Sequence, residues 1–360
     1  MSSPDETTPL VSSAKSQQDV PKKSPLIFPP PPLHVRIAYT VSVWSFKAFI
    51  ATALFIRRRF TPNTFPPLQP TTKIYPIRPT LKNRIFIPPN LVENEKLPLY
   101  LDVHGGGWAI GDPDTDDEFC SYMALTFRIT VVSIDYHKAP TYKFPAGVHD
   151  VGAIVQAVLD DNELPIDHSK VVMGGFSAGG NLVFAACQLS GLQNRVKALV
   201  GFYSPLDSSE DLNDKLARRP KDAPPDELAT SARFLDWAYV PENQNRLDPL
   251  LSPTFAKRKD LPKCVYLIGA EYDCLCYEAK VMVEKLVDPE KRREEIDGKD
   301  GKGWRQGGVM WEIARGKSHA FTHVVQVTRA GEKERERSAK AFYLRVGTWL
   351  RDDVWPVDSV

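Results

Sequence analysis

KVVMGGFSAGGNLVFAACQL, residues 170–189, is the stretch that decides the fold. An apolar run is followed at once by a glycine-rich turn and a second apolar run, which predicts a strand, a turn and a helix. Residues 175–179 match G-x-S-x-G, in which a serine stands on a sharp turn between strand and helix. The flanking glycines let the chain pass, and the hydroxyl projects at a helix N-terminus that favours developing negative charge. Ser177 is therefore the predicted nucleophile.

The sequence on both sides of this stretch alternates between predicted strands and predicted helices from residue 82 onward. Strands are predicted at 84–87, 98–103, 130–135, 170–174, 197–203, 264–269 and 309–314. Helices are predicted at about 116–128, 147–160, 178–190, 273–287 and 333–351. This alternation predicts an α/β fold with a mostly parallel, twisted sheet and helices on both faces.

Three segments fall outside the alternation. Residues 1–33 are polar and rich in proline, so they are predicted to be a disordered tail. Residues 205–260 are charged and rich in proline, with one helix at about 226–238, and are predicted to be an insertion that covers a site. Residues 288–308 are charged and rich in glycine, and are predicted to be an exposed loop.

Composition excludes several classes of protein. Lys and Arg total 46 against 45 for Asp and Glu, so the net charge of +1 offers no electrostatic basis for nucleic-acid binding. The start of the chain is polar, and five cysteines without a framework spacing favour a reducing compartment. We therefore expect a cytoplasmic protein that is not secreted. Cys274 and Cys276 lack a second pair, so no metal site is predicted.

Residues 37–56 (IAYTVSVWSFKAFIATALFI) are the one segment that resembles a membrane helix. Lys47 lies near its centre, where a charge costs about 3 kcal/mol in a membrane, and the apolar side chains regain a similar amount. Three interpretations remain open: a helix packed on the body as part of a cap, a helix lying in the membrane surface, and a true span.

A second glycine motif, His104-Gly105-Gly106-Gly107-Trp108, directly follows a predicted strand. Successive glycines let backbone N–H groups face a ligand with no side chain in the way. Two or three such donors are what an oxyanion hole needs, and a motif of this kind accompanies the serine elbow.

A serine nucleophile also needs a general base and an acid that orients it, in the chain order serine, acid, histidine. Asp273 and His319 each follow the end of a predicted strand, so both should lie at the same sheet edge as Ser177. Glu271 is the rival acid. The rival bases are His137, His149, His168 and His323.

These motifs, taken in order, resemble the hormone-sensitive-lipase-like esterase family of α/β-hydrolases over roughly residues 80–350. The resemblance rests on HGGGW at 104–108 with GD at 111–112, DY at 135–136, AP at 139–140, FPA at 144–146, GFSAGG at 175–180, DPLLSP at 248–253, Asp273 and His319. It implies an α/β-hydrolase fold with a helical cap that includes residues 34–60 and 205–245. The implied division is a tail (1–33), a cap or membrane-contact helix with linker (34–80) and a catalytic domain (81–360).

The resemblance also implies a serine carboxylester hydrolase that needs no cofactor, acts on a small to medium ester and forms an acyl-enzyme. Ser177 would be the nucleophile, His319 the base and Asp273 its orienting acid. The backbone N–H groups of Gly105, Gly106 and Ala178 would form the oxyanion hole. By position, Trp108, Phe176 and Tyr203 are candidate pocket walls, and core packing is an equal alternative for each.

Several features leave the substrate and the reaction open. Phe176, Thr141 and Ala320 stand where the family usually has other residues, so its substrate preference does not carry over. The alternatives are an arylformamidase or amidase, an acyltransferase in a specialised biosynthetic pathway and a non-catalytic ligand receptor. Receptors on this scaffold lose the triad histidine, and His319 is present.

Overall fold

The computed structural model describes residues 24–60 and 67–355, and its centre is a ten-stranded sheet. The strands are β1 (Thr71–Lys73), β2 (Asn83–Phe86), β3 (Leu97–Val103), β4 (Thr130–Ile134), β5 (Ile166–Phe176), β6 (Ala198–Phe202), β7 (Cys264–Ala270), β8 (Glu294–Asp297), β9 (Gly301–Gln306) and β10 (Val309–Ala314). Every strand predicted from the sequence is present, with its ends shifted by a few residues.

Six neighbouring strands, in the order β4-β3-β5-β6-β7-β10, run parallel to one another. Antiparallel strands extend both edges, β2 and β1 on one side and β9 and β8 on the other. Parallel pairing brings the carboxyl ends of β3, β5, β7 and β10 to the same edge of the sheet, where α/β proteins bind their ligands.

Helices cover both faces of the sheet, which confirms the predicted α/β class. The body helices are α2 (Asp117–Phe127), α3 (Ala146–Leu159), α4 (Ala178–Ala186), α7 (Cys276–Lys285) and α8 (Arg329–Trp349), and a π-helical turn (Leu350–Val354) follows α8. Side chains of β3 alternate between the faces: Leu99 and Leu101 join the core under α3, α4 and α7, while Tyr100 joins the core under α2 and α8. Short 3₁₀ turns occupy Pro113–Asp116, Pro253–Phe255 and Arg258–Asp260.

Three further helices, α1 (Leu33–Phe60), α5 (Leu212–Ala217) and α6 (Ala232–Tyr239), form a cap over the carboxyl edge of the sheet. A narrow stripe of α1 packs on α6: Val43 is fully buried, and the ring of Phe46 meets that of Phe234 edge-on, with centroids 5.6 Å apart. The Lys47 ammonium donates to the carbonyl oxygens of Ala109 (2.6 Å) and Ala139 (2.8 Å). These two bonds attach α1 to the body.

The prediction that residues 1–33 are disordered is wrong for its last part. Residues 1–23 lie outside the described residues, whereas residues 24–32 are an extended segment held against the insertion. Leu26 N donates to Asn245 Oδ1 (3.0 Å), Arg246 N donates to Leu26 O (2.8 Å), and the Arg246 guanidinium lies 4.8 Å from the centre of the Phe28 ring. The segment is ordered because a second part of the chain satisfies its backbone groups, and composition does not reveal that partner.

The prediction of an exposed loop at 288–308 is also wrong, since β8 and β9 lie within it. β9 pairs antiparallel with β10, and Trp304 stands opposite Trp311. Trp304 is buried under the Arg293 guanidinium, which lies 4.3 Å from the ring centre, while Lys302 and Arg305 are exposed. β9 has only one large apolar side chain, so its sequence lacks the alternation of apolar and polar residues that predicts a strand. The strand forms because β9 pairs with β10.

Candidate active site

The turn between β5 and α4 carries Ser177 in a conformation that side chains rarely adopt, with φ +50° and ψ −122°. Its N–H donates to the carbonyl oxygen of Phe202 (2.9 Å), and this bond ties the turn to β6. A Cβ on Gly179 would overlap the carbonyl oxygen of Val103, so glycine is required where α4 approaches β3. These contacts hold the Ser177 hydroxyl above the sheet edge.

The structure brings Ser177, His319 and Asp273 together, although 142 residues separate the first two in the chain. Ser177 Oγ lies 2.9 Å from His319 Nε2, and His319 Nδ1 lies 2.7 Å from Asp273 Oδ2. Asp273 Oδ1 accepts a hydrogen bond from Leu275 N (2.9 Å), which fixes the carboxylate plane. Both His319 and Asp273 are buried. This is the arrangement in which a neutral imidazole can take the serine proton.

The surroundings of His319 raise its pKa above the ordinary value of 6.5. Burial is the largest influence and lowers the pKa, but the charge and hydrogen bond of Asp273 and the charges of Asp226 and Glu227 outweigh it. A general base must be neutral, so a reaction that uses His319 should slow as the pH falls through this raised pKa.

The glycine loop after β3 lies directly against the serine turn. A Cβ placed on Gly105 would come within 3.3 Å of Ser177 Cβ, so the backbone of Gly105 stands beside the hydroxyl. Gly106 has φ +117°, and a Cβ there would overlap the carbonyl oxygen of Ile110. Ala178 is the first residue of α4, on the other side of Ser177. The three predicted oxyanion residues thus flank the nucleophile.

Two aromatic rings that the sequence reasoning did not single out fix this loop. The rings of His104 and Tyr136 are stacked, with centroids 4.6 Å apart. Tyr136 Oη donates to the carbonyl oxygen of His104 (3.3 Å), and His104 Nδ1 lies 2.7 Å from the carbonyl oxygen of Gly105. The Asp135-Tyr136 pair belongs to the motifs in the sequence, but no local pattern indicates this contact.

A cavity of about 310 Å³ lies between Ser177 and the cap. The structure places Trp108 in its wall, stacked on Tyr239 with ring centroids 4.4 Å apart. The remaining apolar lining comes mainly from the extended segment before α1 (Phe28, Pro29, Pro30, Pro31), from α1 (Tyr39) and from the insertion (Leu228, Ala232, Leu235, Trp237). Charged side chains also line it, among them Arg246, which bonds to Asp236 (2.6 Å).

For Phe176 and Tyr203 the structure has the core-packing alternative, since both are buried and neither lines the cavity. Phe176 is buried beneath the sheet, with its ring 4.6 Å from that of Phe202, because strand residues alternate and Phe176 points away from the cap. Tyr203 is buried behind His319, with ring centroids 5.0 Å apart, and its hydroxyl lies 3.0 Å from His323 Nδ1. Both side chains pack in the core behind Ser177 and His319, and other residues line the cavity.

The structure brings none of the rival residues to Ser177. His323 Nε2 lies 2.9 Å from Asp116 Oδ1 in the core, and burial lowers the pKa of His323 to about 4. His137 bonds to Asp150 (2.8 Å), and His149 and His168 are exposed. Glu271 accepts a hydrogen bond from Gly316 N (2.7 Å) and so holds the loop before His319.

One group of side chains in the described part of the chain has the proximity of metal ligands: Asp226, Asp273 and Cys274. Both carboxylates of the group already accept hydrogen bonds. Asp273 bonds to His319 and Leu275, and Asp226 accepts from Cys274 N (2.9 Å). Burial and nearby carboxylates raise the pKa of the Cys274 thiol, so the thiolate that a metal prefers is disfavoured. The two carboxylates act here as hydrogen-bond acceptors for His319 and for the loop that carries Asp273.

A parallel sheet with a serine elbow, a glycine loop and a cap is an α/β-hydrolase architecture, and comparison with known proteins agrees. Residues 100–301 match the family model described as the alpha/beta hydrolase fold. The chain is 31% identical over 207 residues to an arylesterase of Saccharolobus solfataricus, a match that covers 57% of this chain and 66% of that protein. It is 32% identical over 212 residues to the carboxylesterase NlhH of Mycobacterium tuberculosis, covering 57% and 64%.

The chain thus spans just under two thirds of the length of these two relatives. A solved esterase of Pyrobaculum calidifontis superimposes with a TM-score of 0.65 at 22% identity, covering 86% of this chain and 92% of that one. The chain belongs to the α/β-hydrolase fold family and, within it, to the hormone-sensitive-lipase-like family that its motifs resemble.

Proposed function

We propose that the protein is a serine carboxylester hydrolase. The observation that carries this proposal is the continuous chain of contacts from Ser177 Oγ to His319 Nε2 (2.9 Å) and from His319 Nδ1 to Asp273 Oδ2 (2.7 Å). The names of two relatives, an arylesterase and a carboxylesterase, support the same reaction class.

His319 takes the proton of Ser177 Oγ as the oxygen forms a bond to the ester carbonyl carbon. The carbonyl oxygen becomes an oxyanion, held by the backbone N–H groups of Gly105, Gly106 and Ala178. As the carbon–oxygen bond to the alcohol breaks, His319 gives the proton to the leaving oxygen. Water then enters, gives a proton to His319 and attacks the acyl-enzyme, and the acid leaves as Ser177 regains its proton.

The cavity supports a small to medium ester as substrate. Its volume of about 310 Å³ lies at the lower end of the range for ligand pockets. Trp108 and the cap residues Leu235 and Trp237 give one side an apolar lining, against which an acyl or aryl group can be buried. All groups of this mechanism come from the chain, so no cofactor is invoked.

We expect the purified protein to hydrolyse p-nitrophenyl esters of short acyl chains at least about 100-fold faster than formanilides, a difference of about 3 kcal/mol in activation free energy. The carbonyl of an anilide is less electrophilic than that of an ester because its nitrogen donates into it, and an anilide anion is a much poorer leaving group than p-nitrophenolate. Initial rates with a p-nitrophenyl ester and with formanilide under the same conditions measure the ratio. Faster formanilide cleavage would favour the arylformamidase alternative, and acyl transfer to an added alcohol in preference to water would favour an acyltransferase. Absence of any turnover would favour a receptor.

We further propose a cytoplasmic location in contact with a membrane surface through residues 37–56. α1 is long and apolar enough to cross a membrane, by length and composition. Its outward face exposes Ile37 (57%), Val41 (60%) and Phe55 (67%), whereas Lys47 faces the body. A span would have to break both Lys47 bonds and bury the charge at about 3 kcal/mol, so lying in the surface is favoured.

Replacing Val41 and Phe55 together with glutamate should reduce binding to vesicles that contain anionic lipid by about tenfold or more. Two negative charges on the outward face, which would enter the membrane, oppose its insertion and are repelled by anionic headgroups. Co-sedimentation of the full chain measures the effect. Val92→Glu is the control, since Val92 is an exposed valine (71%) on the body. Equal sedimentation of the double variant and the control would exclude this contact.

A further inference from the structure

The cap insertion is bonded to the backbone on both sides of Asp273. Arg219 Nε donates to the carbonyl oxygen of Tyr272 (2.8 Å), and Asp226 Oδ2 accepts from the N–H of Cys274 (2.9 Å). Tyr272 precedes the proposed triad acid and Cys274 follows it. Two residues of the cap therefore hold the loop that carries Asp273.

These two cap residues are also bonded to each other and are well shielded from water. Arg219 Nε lies 3.1 Å from Asp226 Oδ2, and the side chains are 12% and 1% exposed. Asp226 Oδ1 accepts from Leu228 N (2.7 Å), which keeps the carboxylate in one orientation. A buried, oriented ion pair is costly to separate, so the cap and the acid loop should move as a unit.

We propose that Asp226 and Arg219 are positioning residues that join the cap to the triad acid loop and set the electrostatic field at His319. This inference rests on the proposed hydrolase function of the site. Its consequence is that the seating of the cap over a substrate and the basicity of His319 are linked. A cap displaced from the body would withdraw Asp226 and Arg219 together and release the loop that carries Asp273.

The charges around His319 support this assignment. A carboxylate oxygen of Asp226 lies within 4.8 Å of one of Asp273, which itself bonds to the imidazole. A charge that is shielded from solvent acts on a neighbouring titratable group more strongly than an exposed charge, which water and salt screen. Glu227 also raises the pKa of His319, but Glu227 is exposed. On the other side of the imidazole, Tyr203 and His323 are uncharged at neutral pH because burial disfavours their ionised forms.

The test compares the acidic limb of the pH profile of kcat/KM between the wild type and its variants. This limb reports the ionisation of the general base in the free enzyme. Asp226→Asn removes a negative charge, so the limb should move to lower pH by about half a unit or more. Arg219→Gln removes the opposing positive charge, so the limb should move to higher pH. Opposite displacements are expected from an electrostatic role, whereas a role in folding alone would lower the rate and leave the limb in place.

Matched controls come from the neighbouring residues. Arg218 is the adjacent arginine and pairs with Glu210 on the surface, so Arg218→Gln should leave the limb unchanged. Glu227→Gln should move it in the same direction as Asp226→Asn but less, because solvent screens Glu227. Asp226→Glu keeps the charge and should restore the wild-type limb.

A titration of His319 by NMR, in protein with labelled histidines, gives the same comparison without turnover, and thermal unfolding reports whether each variant folds. Identical His319 titrations in wild type, Asp226→Asn and Arg219→Gln would overturn the proposal even with full esterase activity. Displaced titrations in a protein that hydrolyses no ester would support the link between cap and His319 and overturn only the proposed reaction. If Asp226→Asn does not fold, Arg219→Gln and Asp226→Glu decide the outcome.

Discussion

Ser177→Ala should lower kcat for an activated ester by about 10⁴- to 10⁶-fold, the range seen when a serine hydrolase loses its nucleophile. The alanine cannot form an acyl-enzyme, and what remains comes from substrate binding and the donors of the glycine loop. The fold should persist, because the bond from the backbone N–H of residue 177 to Phe202 does not use the hydroxyl. Initial rates with a p-nitrophenyl ester, with thermal unfolding in parallel, measure both effects.

The control for this prediction is Ser208→Ala. Ser208 also lines the cavity, and its N–H donates to Ser252 Oγ (2.8 Å), a bond that the substitution keeps. We expect a change in kcat of no more than a few-fold. A fluorophosphonate probe should label the wild type and Ser208→Ala but not Ser177→Ala. Near-wild-type turnover by Ser177→Ala would refute the assignment of the nucleophile.

Asp273→Asn should lower kcat by about 10³- to 10⁴-fold with little change in KM. The carboxylate accepts the Nδ1 proton of His319 at 2.7 Å and so leaves Nε2 free to accept the proton of Ser177. An amide can present its NH₂ group to Nδ1, which favours the tautomer with its proton on Nε2. The substitution also removes the negative charge that stabilises the imidazolium formed during the reaction.

Glu271→Gln is the matched control, since Glu271 is the other acid after β7. Its carboxylate accepts from Gly316 N and lies 3.7 Å from Lys302 Nζ at the surface, away from the imidazole ring. We expect kcat within about threefold of wild type, because surface ion pairs contribute little. Equal losses in the two variants would mean that Asp273 acts by holding the loop and not by orienting His319.

The succession of strands and helices along the chain and the three proposed catalytic side chains could be predicted because short motifs encode them. The glycines around Ser177 are required where α4 passes β3 and β5, so the turn is visible in five residues. Asp273 and His319 each follow an apolar run, and parallel pairing of β5, β7 and β10 carries all three to one edge. In each case the constraint acts within a few residues of the chain.

The errors occur where the deciding partner is distant in the chain. Residues 24–32 looked disordered because Asn245 and Arg246, which bind them, lie more than 200 residues away. The strand at 301–306 looked like a loop because its pairing with β10, and not its own side chains, forms it. Arg219 and Asp226 looked like ordinary charges of a polar insertion, and no spacing links them to Asp273.

The sequence by itself determined the α/β class, the family and the order of the proposed nucleophile, acid and base, because turn sterics and strand periodicity act locally. Only the tertiary structure decided which side chains face the cavity. It turned Phe176 and Tyr203 into the core behind His319, and it brought the cap residue Asp226 beside the triad acid. Which face of a strand or loop is buried depends on what packs against it, and that is settled only when distant segments meet.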